Sequence, residues 1–364
     1  MAADHSEFTI TDGESKRISV LKVWLSIMVV FIHSYDSSIN FVGETVALDV
    51  PVWLDATKYI ISQAISQSAV PAFFFLSAFF LYRKPFSWKQ NICKKAQSLL
   101  VPYFILNTFW ILVFFVGQHI PSLSPYFSQP KNIVANWSIG DWFARFFGSP
   151  SNMYPLLYPL WFIRDLFVLN LLAPPFEWFV KKAGPWSLAV FLAVWLLLDS
   201  THLFFLNIPS LCFWGIGCYF AVRRISVSSL DQYNKTALVY PCLLIIVFLL
   251  RNSAGLEFRF FYRLCLLVGV YFWYTFTTKI NRESRRNALL FVSKYSFCIF
   301  LFHEMNLTIL RKILTKLVPQ TPIFALILYF GVTMLIVFLC VLLSWFLEKY
   351  MPKFYRVISG GRSR

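Results

Sequence analysis

Ten apolar runs dominate the chain, each close to the length at which a helix crosses a bilayer and each bounded by charged residues or by Pro and Gly. A hydrocarbon core about 30 Å thick takes about 20 apolar residues per helix. The runs fall near 18–36, 60–82, 98–117, 157–180, 186–201, 204–222, 238–251, 262–279, 289–310 and 322–347, the fifth and seventh short enough to read as tilted or broken. Backbone amides in a bilayer must be satisfied within their own segment, so such runs are helical. The sequence predicts an all-α, polytopic integral membrane protein of about ten transmembrane helices.

Composition excludes the other classes. Of 364 residues, 58% are hydrophobic and 14% charged, against about 25% charged in ordinary soluble domains. Soluble enzyme, secreted disulfide scaffold and disordered chain all fail on that figure. The net charge of +16 raises nucleic acid as a partner. Lys and Arg cluster in short segments between apolar runs, however, which is the pattern of membrane topology, and no nucleic acid is expected. The seven cysteines (Cys93, Cys212, Cys218, Cys242, Cys265, Cys298, Cys340) include no CxxC pair and lie mostly inside apolar runs. They read as small buried hydrophobes with no disulfide or zinc role.

The polar opening 1–15 has no apolar stretch of its own and reads as a cytoplasmic tail. With that end inside, the inner segments hold 22 Lys and Arg and the outer loops 9. This bias predicts both termini cytoplasmic, an even number of helices and a basic cytoplasmic tail over 353–364. The longest outer segment, about 118–156, carries Trp137 and Trp142 on either side of Gly140 and Asp141. Those rings are either interfacial anchors or surfaces for stacking sugars.

Ionisable groups inside apolar helices are costly, so each is a functional candidate. In the first run Lys22 precedes His33 by eleven residues. At about 100° per residue they share one helical face about 16 Å apart. Either both point into one cavity, or His33 bonds a backbone carbonyl while Lys22 snorkels to lipid phosphates.

Further segments follow in order: Phe73 to Phe79 closing the second run, Lys94 and Lys95 ahead of Pro102 and Tyr103, Tyr158 to Leu166, Phe213 to Gly217, Lys294 to His303, and Phe346 to Lys349. Together with Lys22 and His33 they resemble, in order and spacing, the acyltransferase 3 family of integral membrane acyltransferases, from about residue 16 to 352. That family typically has a basic residue, usually Arg, separated by ten residues from a histidine in the first helix. Lys22 and His33 match it with the charge kept and the bidentate fork lost. The family's Phe-Phe-x-Leu-Ser-Gly-Phe pattern reads here with Ala78 for Gly, and Ser98 stands where another basic residue is common.

The resemblance implies a membrane acyltransferase domain over 16–352. It implies transfer of an acyl group, most often acetyl from acetyl-CoA, to a hydroxyl of a cell-surface or lipid-linked carbohydrate, and a place in the cytoplasmic membrane of a bacterium. Such a transfer needs a base near neutrality, for which imidazole suits, and His33 is the candidate. The phosphates of CoA need cations, and Lys22, Arg17, Lys94 and Lys95 supply them. No metal is required. Arg164 and Asp165, neighbours that cannot face one another on a helix, either orient the acceptor or His33 or form a packing network. Trp161 is a sugar platform or core packing. Asp36 either orients the imidazole or opens the outer loop, and His303 is a second polar member of the cavity or an interfacial residue. His5, His119 and His202 read as solvated. The competing readings are a transporter or flippase for a lipid-linked glycan and a non-catalytic membrane subunit, the former lacking the paired broken repeats of many transporters.

Overall fold

The structure is a computed structural model that describes residues 8–41, 43–128, 132–149, 153–198, 201–203, 206–253, 255–279 and 283–362. His5 and three of the counted cations, Lys131, Arg282 and Arg364, lie outside the described residues.

Each apolar run contains a helix. In chain order these are α1 (Asp12–His33), α2 (Val52–Tyr82), α3 (Trp88–His119), α4 (Ile139–Phe147), α5 (Trp161–Leu171), α6 (Ala173–Ala183) and α7 (Pro185–Leu197). Then come α8 (Ile208–Val222), α9 (Val239–Leu249), α10 (Leu256–Phe276), α11 (Glu283–Ser293), α12 (Ser296–Leu317), α13 (Pro322–Tyr350) and α14 (Pro352–Ile358). Among the described residues, β1 (Ser38–Asn40) pairs antiparallel with β2 (Thr45–Ala47), and β3 (His202–Leu203) with β4 (Leu206–Asn207).

Among the described residues, α2, α3 and α13 are each long and apolar enough to cross a bilayer, and the number rises to five if two bent pairs each count as one span. One pair is α6 with α7, bent by 118°, and the other is α11, from Arg286, with α12, bent by 70°. The chain is thus a multi-pass helical membrane protein. The tally falls short of ten for local reasons. Helices α8 and α9 are 15 and 11 residues long, below the usual span, and α1 includes Lys16, Arg17 and Lys22. The fourth run breaks at Leu172, where Pro174 and Pro175 follow in the first turn of α6 and their missing N–H groups are not needed. On α13, Leu335, Phe338, Leu342 and Phe346 form an exposed apolar stripe at helical spacing, suited to hydrocarbon.

The chain divides into two compact units, one built from Met1–Val29, Ile60–Lys95 and Asp165–Ser296, the other from Val30–Tyr59, Ala96–Arg164 and Phe297–Arg364. In the first, α8 is the central helix, with Cys212 through Tyr219 all buried. A side chain at Gly217 would run into the carbonyl oxygen of Phe75 and crowd Ala78 on α2. Small residues let the two backbones approach this closely. Nearby, the Tyr82 hydroxyl donates to the carbonyl of Ala173 at 2.9 Å and accepts from the Trp214 indole at 3.3 Å.

In the second unit, α3 widens into a π-helical turn over Ala96–Leu100 just before Pro102. Proline has no N–H to return to the carbonyl four residues back, here Ser98, and Arg362 donates to that oxygen at 3.2 Å. Gly360, at φ +64°, lies so close to the same carbonyl that a Cβ would collide with it. The C-terminal segment is therefore folded back onto α3, with α14 packed and the Arg362 guanidinium 3.7 Å over the Phe297 ring.

Within the long segment, Ser138 and Asp141 form a capping box at the start of α4. The Ser138 hydrogen bonds hold the Asp141 carboxyl below its ordinary range. Ile139 and Phe143 are exposed on a short amphipathic helix of the kind that lies along a membrane surface. All seven cysteines are free; five are buried as expected, whereas Cys93 and Cys242 are exposed.

Candidate functional site

His33 is the last residue of α1, where the helix gives way because Ser34 turns back to the Phe31 carbonyl. The Ser34 hydroxyl bonds the Val30 carbonyl and the Thr333 hydroxyl, at 3.0 and 2.7 Å, and so pins this end of α1 to α13. The imidazole is half-buried. Its ring lies 5.0 Å from the ring of His303 on α12 and 5.6 Å, edge to face, from Tyr158. Tyr158 in turn stands 4.3 Å from Tyr154, and Tyr154 stands 6.4 Å from Trp161.

His303 is fully buried. Its Nδ1 lies 3.0 Å from the Ile299 carbonyl and 2.8 Å from the Phe300 carbonyl. Carbonyl oxygens only accept, so Nδ1 carries the proton and Nε2 presents a lone pair. That Nε2 has no hydrogen-bond partner, nor does Oε2 of the adjacent Glu304. Unpaired buried polar atoms are rare and call for an explanation, and one explanation is a role in the reaction. Tyr154 is not singled out by the sequence, whereas Tyr158 opens one of the matched segments and Glu304 stands beside His303 without a role of its own. The signal for Tyr158 was its place three residues before Trp161.

The neighbours Arg164 and Asp165 point to different tasks. Arg164 donates through Nη1 to the carbonyls of Phe147 and Met153, at 2.6 and 2.7 Å, tying down the segment that leads to Tyr154 and Tyr158. Asp165, fully buried, accepts on one oxygen from the Asn207 backbone (3.1 Å), the Asn207 amide (2.9 Å) and the Ser210 hydroxyl (3.0 Å). Asn207 is the N-cap of α8, so this carboxylate satisfies donors at a helix N-terminus, where negative charge is favoured.

The four expected donor-site cations all belong to the first unit. Arg17 is engaged with Asp231 at 2.5 and 2.8 Å and lies 3.7 Å over the Tyr274 ring. The Lys22 ammonium stands 5.3 Å over the ring of Phe80. Lys94 is exposed and Lys95 half-buried, both in the turn before the π-helical widening. Among the described residues, no group of three or more His, Cys, Asp or Glu side chains is placed to hold a metal ion.

Residues 15–345 match the profile of a family described as an acyltransferase domain. The chain is also similar to the succinoglycan biosynthesis protein ExoH of Rhizobium meliloti (strain 1021), 24% identical over 224 residues. That stretch is 60% of this chain and 57% of the relative, so the match spans little more than half of that protein's length. No solved structure matches. With the profile running from the start of α1 to near the end of α13, the chain belongs to the acyltransferase 3 family.

Proposed function

We propose that the protein is a membrane O-acyltransferase that moves an acetyl or other short acyl group from acyl-CoA to a hydroxyl of a cell-surface or lipid-linked carbohydrate. Family membership supports the acyl transfer, and the name of the relative, a succinoglycan biosynthesis protein, supports a polysaccharide acceptor. The observation that carries the reading is the half-buried His33 imidazole beside a fully buried His303 whose Nε2 is unpaired.

In this reading His33 takes the proton of the attacking sugar hydroxyl as its oxygen adds to the thioester carbonyl. The tetrahedral intermediate then collapses, the C–S bond breaks, and the proton passes from His33 to the departing CoA sulfur. Positioned general bases contribute about 10²- to 10⁴-fold. His303 orients the imidazole of His33. Lys22, Lys94 and Lys95 bind the phosphates of CoA, and Arg17 joins them only on release from its pairing with Asp231; the axial rise of about 16 Å along α1 from Lys22 to His33 suits the extended pantetheine arm. Arg164 and Trp161 shape the acceptor side together with Tyr154 and Tyr158, and Asp165 holds the start of α8. The mechanism uses no metal. We place the chain in the cytoplasmic membrane of a bacterium as ten spans with both termini inside, so that donor and acceptor approach from opposite faces.

The test is binding and turnover of radiolabelled acetyl-CoA by the purified protein in detergent, with a crude surface-glycan extract as acceptor, for wild type, His33→Ala and Lys22→Ala. Label entering glycan with wild type and falling at least about 10²-fold in His33→Ala, with donor binding retained, is the expected result. Lys22→Ala should bind donor more weakly. Near-wild-type transfer by monodisperse His33→Ala removes the base assignment, and no donor binding by any of the three favours a transporter.

A further inference from the structure

Just beyond His33, a polar cavity of about 330 Å³ opens between the residues after α1, the segment after α3, and α12. It is within the size range of small-ligand sites. Its polar wall includes Asp36, Asn40, Tyr126, Asn132, Arg311 and Lys312. The wall is built rather than loose. Gln118 donates to the carbonyls of Phe127 (3.2 Å) and Asn132 (2.6 Å) and accepts from the Val134 amide (3.1 Å), and Asn40 accepts from the Thr45 hydroxyl at 2.8 Å.

The charges in this wall do not balance. The Arg311 side chain is only 4% exposed, and its one carboxylate contact, Nη1 to Asp36 Oδ2, is 3.3 Å. Guanidinium–carboxylate bonds normally close to about 2.7–2.9 Å and are often paired. Nη2 is spent on the Asp36 carbonyl at 3.0 Å, Nε has no hydrogen-bond partner, and the Asp36 side chain is 70% exposed. Lys312 reaches the carbonyl of Tyr126 at 3.1 Å, and the buried Lys58 reaches the Asp36 carbonyl at 3.0 Å between the rings of Tyr35 and Tyr329. Beyond them Lys316 and Glu44 pair with each other. Among the described residues, the two cations that line the cavity, Arg311 and Lys312, face one lining carboxylate, Asp36, while the buried Lys58 lies outside the lining with Asp55 as well as Asp36 near it. Cations withdrawn from water without a matching anion are costly, and a bound anion relieves that cost.

Asp36 follows His33 by three residues, and Arg311 follows His303 by eight, a rise of about 12 Å along α12. The distance from the imidazole pair to the cations is the reach of a short oligosaccharide. We infer that this cavity is an acceptor subsite for a negatively charged glycan. Arg311 and Lys312 hold a carboxylate or phosphate carried by the acceptor while a hydroxyl of a neighbouring sugar meets His33. The inference rests on the carbohydrate acyltransferase reading and adds the charge of the acceptor to it.

The experiment measures binding by calorimetry to the full chain in detergent, and transfer of labelled acetyl in parallel. The probes are a galacturonic acid trisaccharide, a neutral galactose trisaccharide and galactose 6-phosphate. At least one charged sugar should bind about tenfold tighter than the neutral one, with an advantage that shrinks as salt is raised. Which charged sugar shows it separates carboxylate from phosphate as the recognised group. Lys312→Gln should reduce that advantage about tenfold while acetyl-CoA binding stays at the wild-type value. Arg311→Lys, which keeps the charge of the buried site, should lower it as well. Equal affinity for charged and neutral sugars, or an advantage unchanged in both variants, overturns the subsite. Lys312-dependent binding of a charged sugar without any acetyl transfer keeps the subsite and removes the transferase reading.

Discussion

Arg362 donates to the carbonyl oxygen of Ser98 across the fold of the second unit, taking the place of the amide that Pro102 does not have. This one bond ties the end of the chain to the distorted turn of α3, and Gly360 is the residue that lets the backbone come close enough. Arg362→Ala should lower stability by about 1 kcal/mol, the ordinary worth of such a bond. Gly360→Ala should cost more, because it adds both a collision and a left-handed strain. Thermal unfolding in detergent checks both, and a Gly360→Ala protein as stable as wild type would mean the tail does not lie against α3.

His303→Asn keeps a donor near the carbonyls of Ile299 and Phe300 and removes the Nε2 lone pair. We expect turnover to fall about tenfold or more, with the Michaelis constant for the donor and the melting temperature near wild type. A parallel loss of stability and unchanged turnover per folded molecule would make His303 a packing residue.

Three donors meet one oxygen of Asp165, and asparagine keeps an oxygen acceptor there. Asp165→Asn should therefore be destabilised less than Asp165→Ala. Asp165→Ala leaves buried donors unpaired and should destabilise by about 2–3 kcal/mol. Should Asp165→Asn abolish transfer while remaining fully stable, the negative charge would have a task beyond capping α8.

Asn136 is exposed just before α4, and Cys93 is an exposed thiol on α3. In the proposed orientation a membrane-impermeant maleimide should label Asn136→Cys in intact cells and Cys93 only after permeabilisation. The opposite order would invert the topology.

Much of this was legible because a bilayer allows so few solutions. Apolar runs near the length of a span could only be helices, and His33 and His303 stood out as ionisable groups where such groups are costly. What stayed hidden depends on contacts distant in sequence. Nothing local to Asp165 announces Asn207 and Ser210, some 42 and 45 residues on. The bend between α6 and α7 turns on Gly184 at φ +56°, a conformation glycine permits but does not announce. The cation-rich cavity has no local signature, because Asp36, Asn132 and Arg311 belong to three separate stretches and meet only when folded.

The close crossing of α2 and α8 has a mechanical meaning. With the Phe75 carbonyl set against Gly217 and Ala78 beside it, the two helices interlock like meshed teeth and cannot slide past one another without climbing over a backbone group. Any breathing of the protein during a catalytic cycle must therefore carry this pair as a rigid strut.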